Sequence, residues 1–483
     1  MIRSAGAVLT VLTLVACATP TPSAADYGTE LSRRVGVDAM YGHLTKLQHI
    51  ADENGGNRAF GTTGYDASVQ YVEEALRSRG FDVSATILDV PIAYADKPVL
   101  SVGGAAIAAE SMRFTRGTPP EGITASLVPV RGTGQGCLAG DYDGLPMFGA
   151  VALVDRGGCT YAGKEANAAA RGAVALIIAD NVADGPLLGS LGERTAVQIP
   201  AIGVGKADGA RLRVHPAPVT LRLNAGVRSE HTRNVIAQTK TGSTHDMVMV
   251  GAHLDSVRAG PGINDDGSGV AAVLETALQL GSTPSVRNAV RFAFWAAEED
   301  GVVGSRRYVE SLDADGLKDI ALYLNFDMIA SPNPGYFTYD GDQSGPRKDD
   351  DKNPRVPEGS AGIERTLVAY LDGTPKKAED TAFDGRSDYD AFTEAGIPSG
   401  GLFSGADGAM TAEQARRWGG TAGRPFDPNY HKKSDTVDHI DRTALEILGR
   451  GVAFAVGSYA QNIGGRNGVP ARQDRTRHQV TPS

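Results

Sequence analysis

From Asn234 onward the chain alternates stretches of helical periodicity with short runs that are almost wholly apolar, at 247–251, 290–295, 321–326 and 400–403. A strand that is apolar on both faces must be covered on both, and strands separated by helices pair in parallel. The pattern predicts an α/β fold: a mixed, largely parallel central sheet flanked by helices. At 483 residues with 41% hydrophobic content, the chain has material for more than one domain.

In open sheets of this kind, sites form beyond the carboxyl ends of the strands. Metal-binding residue types stand at those ends. The first run leads into His253, with Asp255 two residues on, where a carboxylate accepts the other ring N–H of a ligating imidazole. Asp265 and Asp266 follow in a Gly-rich turn before a helix. Adjacent carboxylates there either cap the helix or repel one another until a cation compensates, and with His253 near, one of them is expected to bind a metal. The second run surfaces in Glu298, Glu299 and Asp300, and the third ends in Asp327, bracketed by apolar residues and so in need of a partner or a metal. Tyr430 and His431 precede the last long helix. Two imidazoles and several carboxylates without thiolates suit zinc with open positions rather than a closed structural site. Spacing alone does not separate Glu298 from Glu299.

The segments GAHLDSV, GPGINDDGSGVAAVLE, FWAAEEDGVVGS, NFDMIASPNPGYF, FDGRSDYDAF and YHKKSDTVDHI carry a resemblance. They resemble the co-catalytic zinc aminopeptidases of the secreted Streptomyces type, over about 37–90 and 232–463. The resemblance implies a zinc-peptidase, phosphorylase-like fold holding a pair of zinc ions. It implies that Asp265 bridges both ions, that His253 and Asp327 complete one, and that Glu299 and His431 complete the other. It makes Glu298 the general base, Tyr430 the donor that steadies the oxyanion, and Arg386 and Phe403 part of the pocket for the first substrate side chain. The Asp265–Asp266 peptide is expected to be cis, as in relatives. The substrates implied are peptides with free, hydrophobic N-termini. One departure stands out: Asn429 and Ser434 occupy positions where such relatives can carry cysteines flanking the Tyr-His pair. Other zinc hydrolases of the same fold (a carboxypeptidase or a glutaminyl cyclase), or a non-catalytic binding protein, are the competing readings.

Between 96 and 225 the texture changes to short β-branched runs separated by Gly and Pro. The stretch 136–181 resembles the protease-associated (PA) domain inserted in several peptidases and receptors. At the N-terminus, Arg3 and an apolar stretch too short to span a bilayer read as a signal peptide over 1–16. Leu14-Val15-Ala16-Cys17 resembles a bacterial lipobox, which predicts lipidation of Cys17 and a cell-surface lipoprotein ahead of a freely secreted enzyme. Cys137 and Cys159 then remain as a pair in an oxidising compartment, and a bridge between them is expected. The remaining divisions are a tether at 17–36, peptidase segments at 37–95 and 226–465, and a disordered tail at 466–483. An acidic, Pro- and Gly-rich run between Asp340 and Pro357 reads as a surface loop. With 47 basic against 57 acidic residues, a nucleic-acid partner is excluded, and membrane contact is expected only through a lipid anchor.

Overall fold

The computed structural model describes residues 23–132, 134–193, 195–345, 356–465 and 468–480. The expected signal peptide, Cys17 and most of the acidic loop lie outside the described residues. The chain divides into two compact units, one ending at Ala85 and resuming as Val235–Gln479, the other spanning Thr86–Asn234. The inserted unit is therefore wider than the 96–225 expected. The reason is that β1 (Asp82–Ala95) and β2 (Ala225–Gln238) each run on from one unit into the other.

The sheet of the larger unit continues with β3 (Ser243–His253), β4 (Asn288–Trp295), β5 (Ile320–Phe326), β6 (Phe337–Tyr339), β7 (Glu379–Thr381) and β8 (Ser399–Phe403). Its order is β1-β2-β4-β3-β5-β8-β6-β7. The neighbours β4, β3, β5 and β8 are mutually parallel, while β2 and β6 join antiparallel. These four are the apolar runs read from the sequence, and nearly all their residues are buried, as helices on both faces require. The helices of this unit include α1 (Ala24–Arg34), α2 (Val37–Glu53), α3 (Thr63–Ser78), α4 (Gly267–Leu280), α5 (Val303–Glu310), α6 (Ser360–Asp372), α7 (Tyr389–Glu394) and α8 (Arg442–Gln461); α4, α6, α7 and α8 pack on the strands, and α1 packs on α8. Among the described residues, no helix is long and apolar enough to cross a membrane.

Two expected boundaries are corrected. The tether at 17–36 contains α1, which opens on a capping box in which Ser23 and Asp26 satisfy each other's amides. Leu31 is fully buried, and Gly28 lets α8 approach so closely that a Cβ there would stand 2.5 Å from the Phe454 carbonyl oxygen. The Ser and Ala that read as linker composition are a cap and the first turn of a packed helix. The tail at 466–483 is ordered over 468–480, because its arginines satisfy backbone carbonyls. Arg475, almost wholly buried, donates to the carbonyls of Pro470, His245 and Lys318 and pairs with Asp246. Arg477 donates to those of Leu317, Ile320 and Gly396. Lys318 and Leu317 lie in the last turn of the helix Ala314–Asp319, where carbonyls lack intrahelical partners.

The inserted unit holds two small sheets. One is five-stranded, with Leu127–Pro129, Val151–Asp155, Ala175–Ala179 and Ala201–Val204 parallel in that order; the other is four-stranded and antiparallel. Cys137 and Cys159 are joined, their Cα atoms 5.7 Å apart. The buried Lys164 ammonium donates to the Gln135 and Gly157 carbonyls, each at 2.6 Å, which ties down both cysteine-bearing loops.

Candidate metal centre

The residues named from the sequence as metal ligands converge at the carboxyl edge of the sheet. His253 is the last residue of β3, Asp327 directly follows β5, and Glu298 and Glu299 lie just past β4. Asp265 comes from the loop before α4, and His431 from the loop before α8. Asp265 stands between the imidazoles: Oδ1 is 3.1 Å from His253 Nε2, and Oδ2 is 3.2 Å from His431 Nε2. Asp327 Oδ1 lies 3.6 Å from His253 Nε2, on one side, and Glu299 Oε2 lies 3.0 Å from His431 Nε2, on the other. Glu298 Oε2 is 3.9 Å from His253 Nε2.

The remaining carboxylates hold this set in place. The Nδ1 of His253 faces the Asp255 backbone carbonyl at 3.0 Å rather than its carboxylate, which is 3.8 Å away. The carboxylate expected there accepts instead from the amides of Glu298 and Glu299, at 3.1 and 3.3 Å. Asp266 accepts from the amides of His253, Gly269 and Met328, so it joins β3 to the Asp327 turn and caps α4. The Asp265–Asp266 peptide is cis. Ala297, Met328 and His431 hold left-handed backbone at φ of 56°, 59° and 57°, a conformation that costs energy for non-glycine residues and clusters at functional sites.

Sequence reasoning missed several supports. Arg58, wholly buried, donates to the carbonyls of Leu254, Pro261 and Gly262 and so fixes the loop that carries Asp265. Asp435 accepts from the amides of Asn264 and Asp265 at 2.8 and 3.1 Å, which joins the His431 loop to the Asp265 loop. That loop lacks a cysteine staple, and Asp435, the Asn429 amide bond to Asp427 and the Lys432 bond to the Pro428 carbonyl hold it instead. Asp435 lies inside the YHKKSDT segment and was available as a signal; Arg58 had none beyond being a charge between two helices.

Burial dominates the electrostatics. Desolvation pushes Glu298 and Asp266 well above the usual carboxylate range, with the charge of Asp327 adding to both. Burial and the Asp265 charge push Glu299 up to about 7, and burial, with a smaller push from Asp300, outweighs favourable contacts in raising Asp255 to about 6. For His431, burial disfavours the cation, yet contacts with Asp265 and Glu299 outweigh it and push the imidazole up to about 10. A buried set so rich in acids is relieved by cations. Among the described residues, the buried oxygens Asp265 Oδ2 and Glu299 Oε1 have no hydrogen-bond partner, and His431 Nε2 stands 3.2 Å from the first without hydrogen-bond geometry. Ligand atoms of His253, Asp265 and Glu299 lie within 4.8 Å of one another, as do those of His253, Asp266 and Asp327. With Asp266 occupied by amides, the donor set fits zinc through His253, Asp265, Glu299, Asp327 and His431.

A cavity of about 240 Å³ opens beside Asp265, Glu298, Glu299, Asp327 and His431. Its wall includes Met328, Phe337, Phe403 and Phe426, with Phe337 centred 6.1 Å from Phe403 and 5.3 Å from Phe426. At the mouth, Arg386 Nη2 donates to the Tyr430 hydroxyl at 3.3 Å, and Tyr430 stacks on His431. Both residues named for the substrate pocket, Arg386 and Phe403, thus line it.

A largely parallel sheet with imidazoles and carboxylates gathered at its carboxyl edge, beside a pocket with one aromatic wall, is the arrangement of a metallohydrolase. The chain belongs to peptidase family M28, which it matches over residues 234–456, and it matches the PA domain over 123–212, inside the inserted unit. It is 61% identical to a probable lipoprotein aminopeptidase, LpqL, of Mycobacterium tuberculosis, across 95% of this chain and 92% of that one. It is 42% identical to an aminopeptidase of Pseudomonas aeruginosa, across 85% and 78%. Among solved structures it is similar to the aminopeptidase from Aneurinibacillus sp. strain AM-1, with a TM-score of 0.71 and 27% identity across 90% and 96%. It is also similar to a zinc aminopeptidase from Bacillus subtilis, with a TM-score of 0.60 and 26% identity across 90% and 97%.

Proposed function

We propose that this peptidase is an aminopeptidase that holds a pair of zinc ions and removes single, preferentially hydrophobic residues from the free N-termini of peptides. The observation that carries the reading is the placement of Asp265, with one carboxylate oxygen toward each imidazole. In this reading Asp265 would be shared between the ions, with His253 and Asp327 to hold one and His431 and Glu299 to hold the other. When bound, such a pair polarises the scissile carbonyl and lowers the pKa of water toward about 7. Glu298 takes the proton of the attacking water and delivers it to the leaving amine. Its amide is anchored on Asp255, so the carboxylate is presented from a fixed backbone. Tyr430, oriented by Arg386, donates to the oxygen that gains negative charge. The carboxylates of Glu298 and Asp327 face the free ammonium, which selects for N-termini. The aromatic wall of the cavity accepts the first side chain.

The names of the relatives support cleavage at N-termini, and the mycobacterial one supports a lipoprotein. We accordingly read the protein as exported, held at the cell surface through lipidated Cys17, with Cys137 and Cys159 oxidised there; peptide mapping without reduction tests the bond. The main test uses aminoacyl nitroanilides. Phenanthroline is expected to abolish their cleavage, zinc to restore it, leucine, methionine and phenylalanine to be preferred, and N-acetylation to block turnover. Full activity in verified metal-free protein, or equal turnover of acetylated substrates, would sink the proposal.

A further inference from the structure

A line of buried hydrogen bonds runs from the core to Asp327. Trp295 Nε1 donates to the Tyr323 hydroxyl at 2.8 Å, and that hydroxyl donates to Asn325 Oδ1 at 3.0 Å. Asn325 Nδ2 donates to Ser387 Oγ at 2.7 Å, and Ser387 donates to Asp327 Oδ2 at 2.6 Å. Trp295, Tyr323 and Asn325 are fully buried, and Ser387 is 4% exposed. The direction of every bond follows from the two ends. An indole N–H only donates, so the Tyr323 oxygen accepts from it and sends its own proton onward. The acceptor side of the Asn325 amide must then face Tyr323, and its N–H₂ must face Ser387. A carboxylate only accepts, so Ser387 closes the line by donating to Asp327.

The fold makes room for this line. Trp295 ends β4 and Tyr323 lies on β5, the two neighbours of β3, and their hydrogen bond passes over β3 at Gly251. A Cβ at Gly251 would stand 2.5 Å from Trp295 Nε1 and 2.6 Å from the Tyr323 oxygen. Phe392 stacks on Tyr323 with ring centres 3.9 Å apart, which holds the phenol in register.

We infer that Ser387 is a positioning residue: with Asn325, Tyr323 and Trp295 behind it, it engages Asp327 Oδ2 and so leaves Oδ1, the oxygen nearer His253, for the metal. The inference rests on the zinc reading of the site. Partners of this kind, hydrogen-bonded to a ligand, typically contribute 10–100-fold in metal affinity. Because all the links act through one hydroxyl, their effects on the metal are not additive.

The test is zinc affinity of the full chain, measured by competition with a coloured chelator, for wild type, Ser387→Ala, Tyr323→Phe and the double variant, with thermal stability recorded for each. Wild type is expected to bind zinc in two steps. Ser387→Ala is expected to weaken one step by about 10–100-fold and leave the other unchanged. Tyr323→Phe, which removes the hydroxyl that donates to the acceptor side of the Asn325 amide, is expected to weaken the same step. The double variant is expected to match Ser387→Ala. Unchanged zinc affinity in Ser387→Ala overturns the inference while leaving the zinc site intact, and additive losses in the double variant overturn the relay behind Ser387. A wild type that binds no zinc overturns both this inference and the functional reading.

Discussion

Changing Glu298→Gln separates two neighbours whose side chains are identical and whose surroundings are not. The Glu298 amide is held by Asp255 Oδ1 at 3.1 Å, and glutamine has the same length, so the backbone and the shape of the site persist. What is lost is the proton acceptor. Glu298 is only 9% exposed, so no bulk water takes its place. General acid–base catalysis contributes about 10²- to 10⁴-fold, which is about 2.7–5.4 kcal/mol of barrier. The zinc content of Glu298→Gln is expected to equal that of wild type while kcat falls by that factor. Glu299→Gln acts differently, because Glu299 Oε2 stands 3.0 Å from His431 Nε2 on the second side of Asp265. A neutral amide there is a poorer ligand than a carboxylate, so zinc content itself is expected to fall, and added zinc to recover part of the rate. Elemental analysis and nitroanilide turnover on both variants decide the matter. A Glu298→Gln enzyme within tenfold of wild type, or one that loses zinc while Glu299→Gln keeps it, refutes the assignment.

The docked C-terminal segment predicts that Arg475→Ala, which strips hydrogen bonds from the His245 and Lys318 carbonyls and breaks the pair with Asp246, destabilises the larger unit by about 2–4 kcal/mol. Denaturant unfolding measures this, and an unchanged midpoint would show that the segment lies on the surface without holding it. Burial, reinforced by Asp342, Asp380 and Asp340, pushes the Glu364 carboxyl up to about 7 from an ordinary 4.5. The folded state then binds a proton that the unfolded state has released, so this group's contribution is present below about pH 4.5 and is lost as pH rises through about 7. Glu364→Gln is expected to flatten the fall in melting temperature across that window, and an unaltered slope would contradict the shift.

The parallel strands were legible because a strand covered on both faces is apolar on both, a constraint written into consecutive residues. Three of the proposed ligands were legible for a related reason: His253, Glu299 and Asp327 lie at or just past the end of such a run, having left the apolar interior but not the protein. Phe81, Val83, Ala85 and Ile87 alternate as the residues of a strand do, yet β1 buries Leu88, Val90 and Ile92 and leaves Ile87 74% exposed. Periodicity gave the strand without the phase, which its partners set. The same limit applies to Asp255, whose spacing from His253 puts both its carbonyl and its carboxylate near the ring and does not say which one the ring uses. Arg58, Asp435, Ser387 and the tail arginines were illegible in a stronger sense. Each satisfies groups from distant segments, as when Arg475 reaches a carbonyl on β3 and another in the helix Ala314–Asp319. A buried polar residue is defined by its partners, and these partners meet only once the sheet has formed. The residues proposed to perform the chemistry sit where the chain's own pattern breaks, while those that hold them sit where separate patterns meet, so a single sequence reveals the first set more readily than the second.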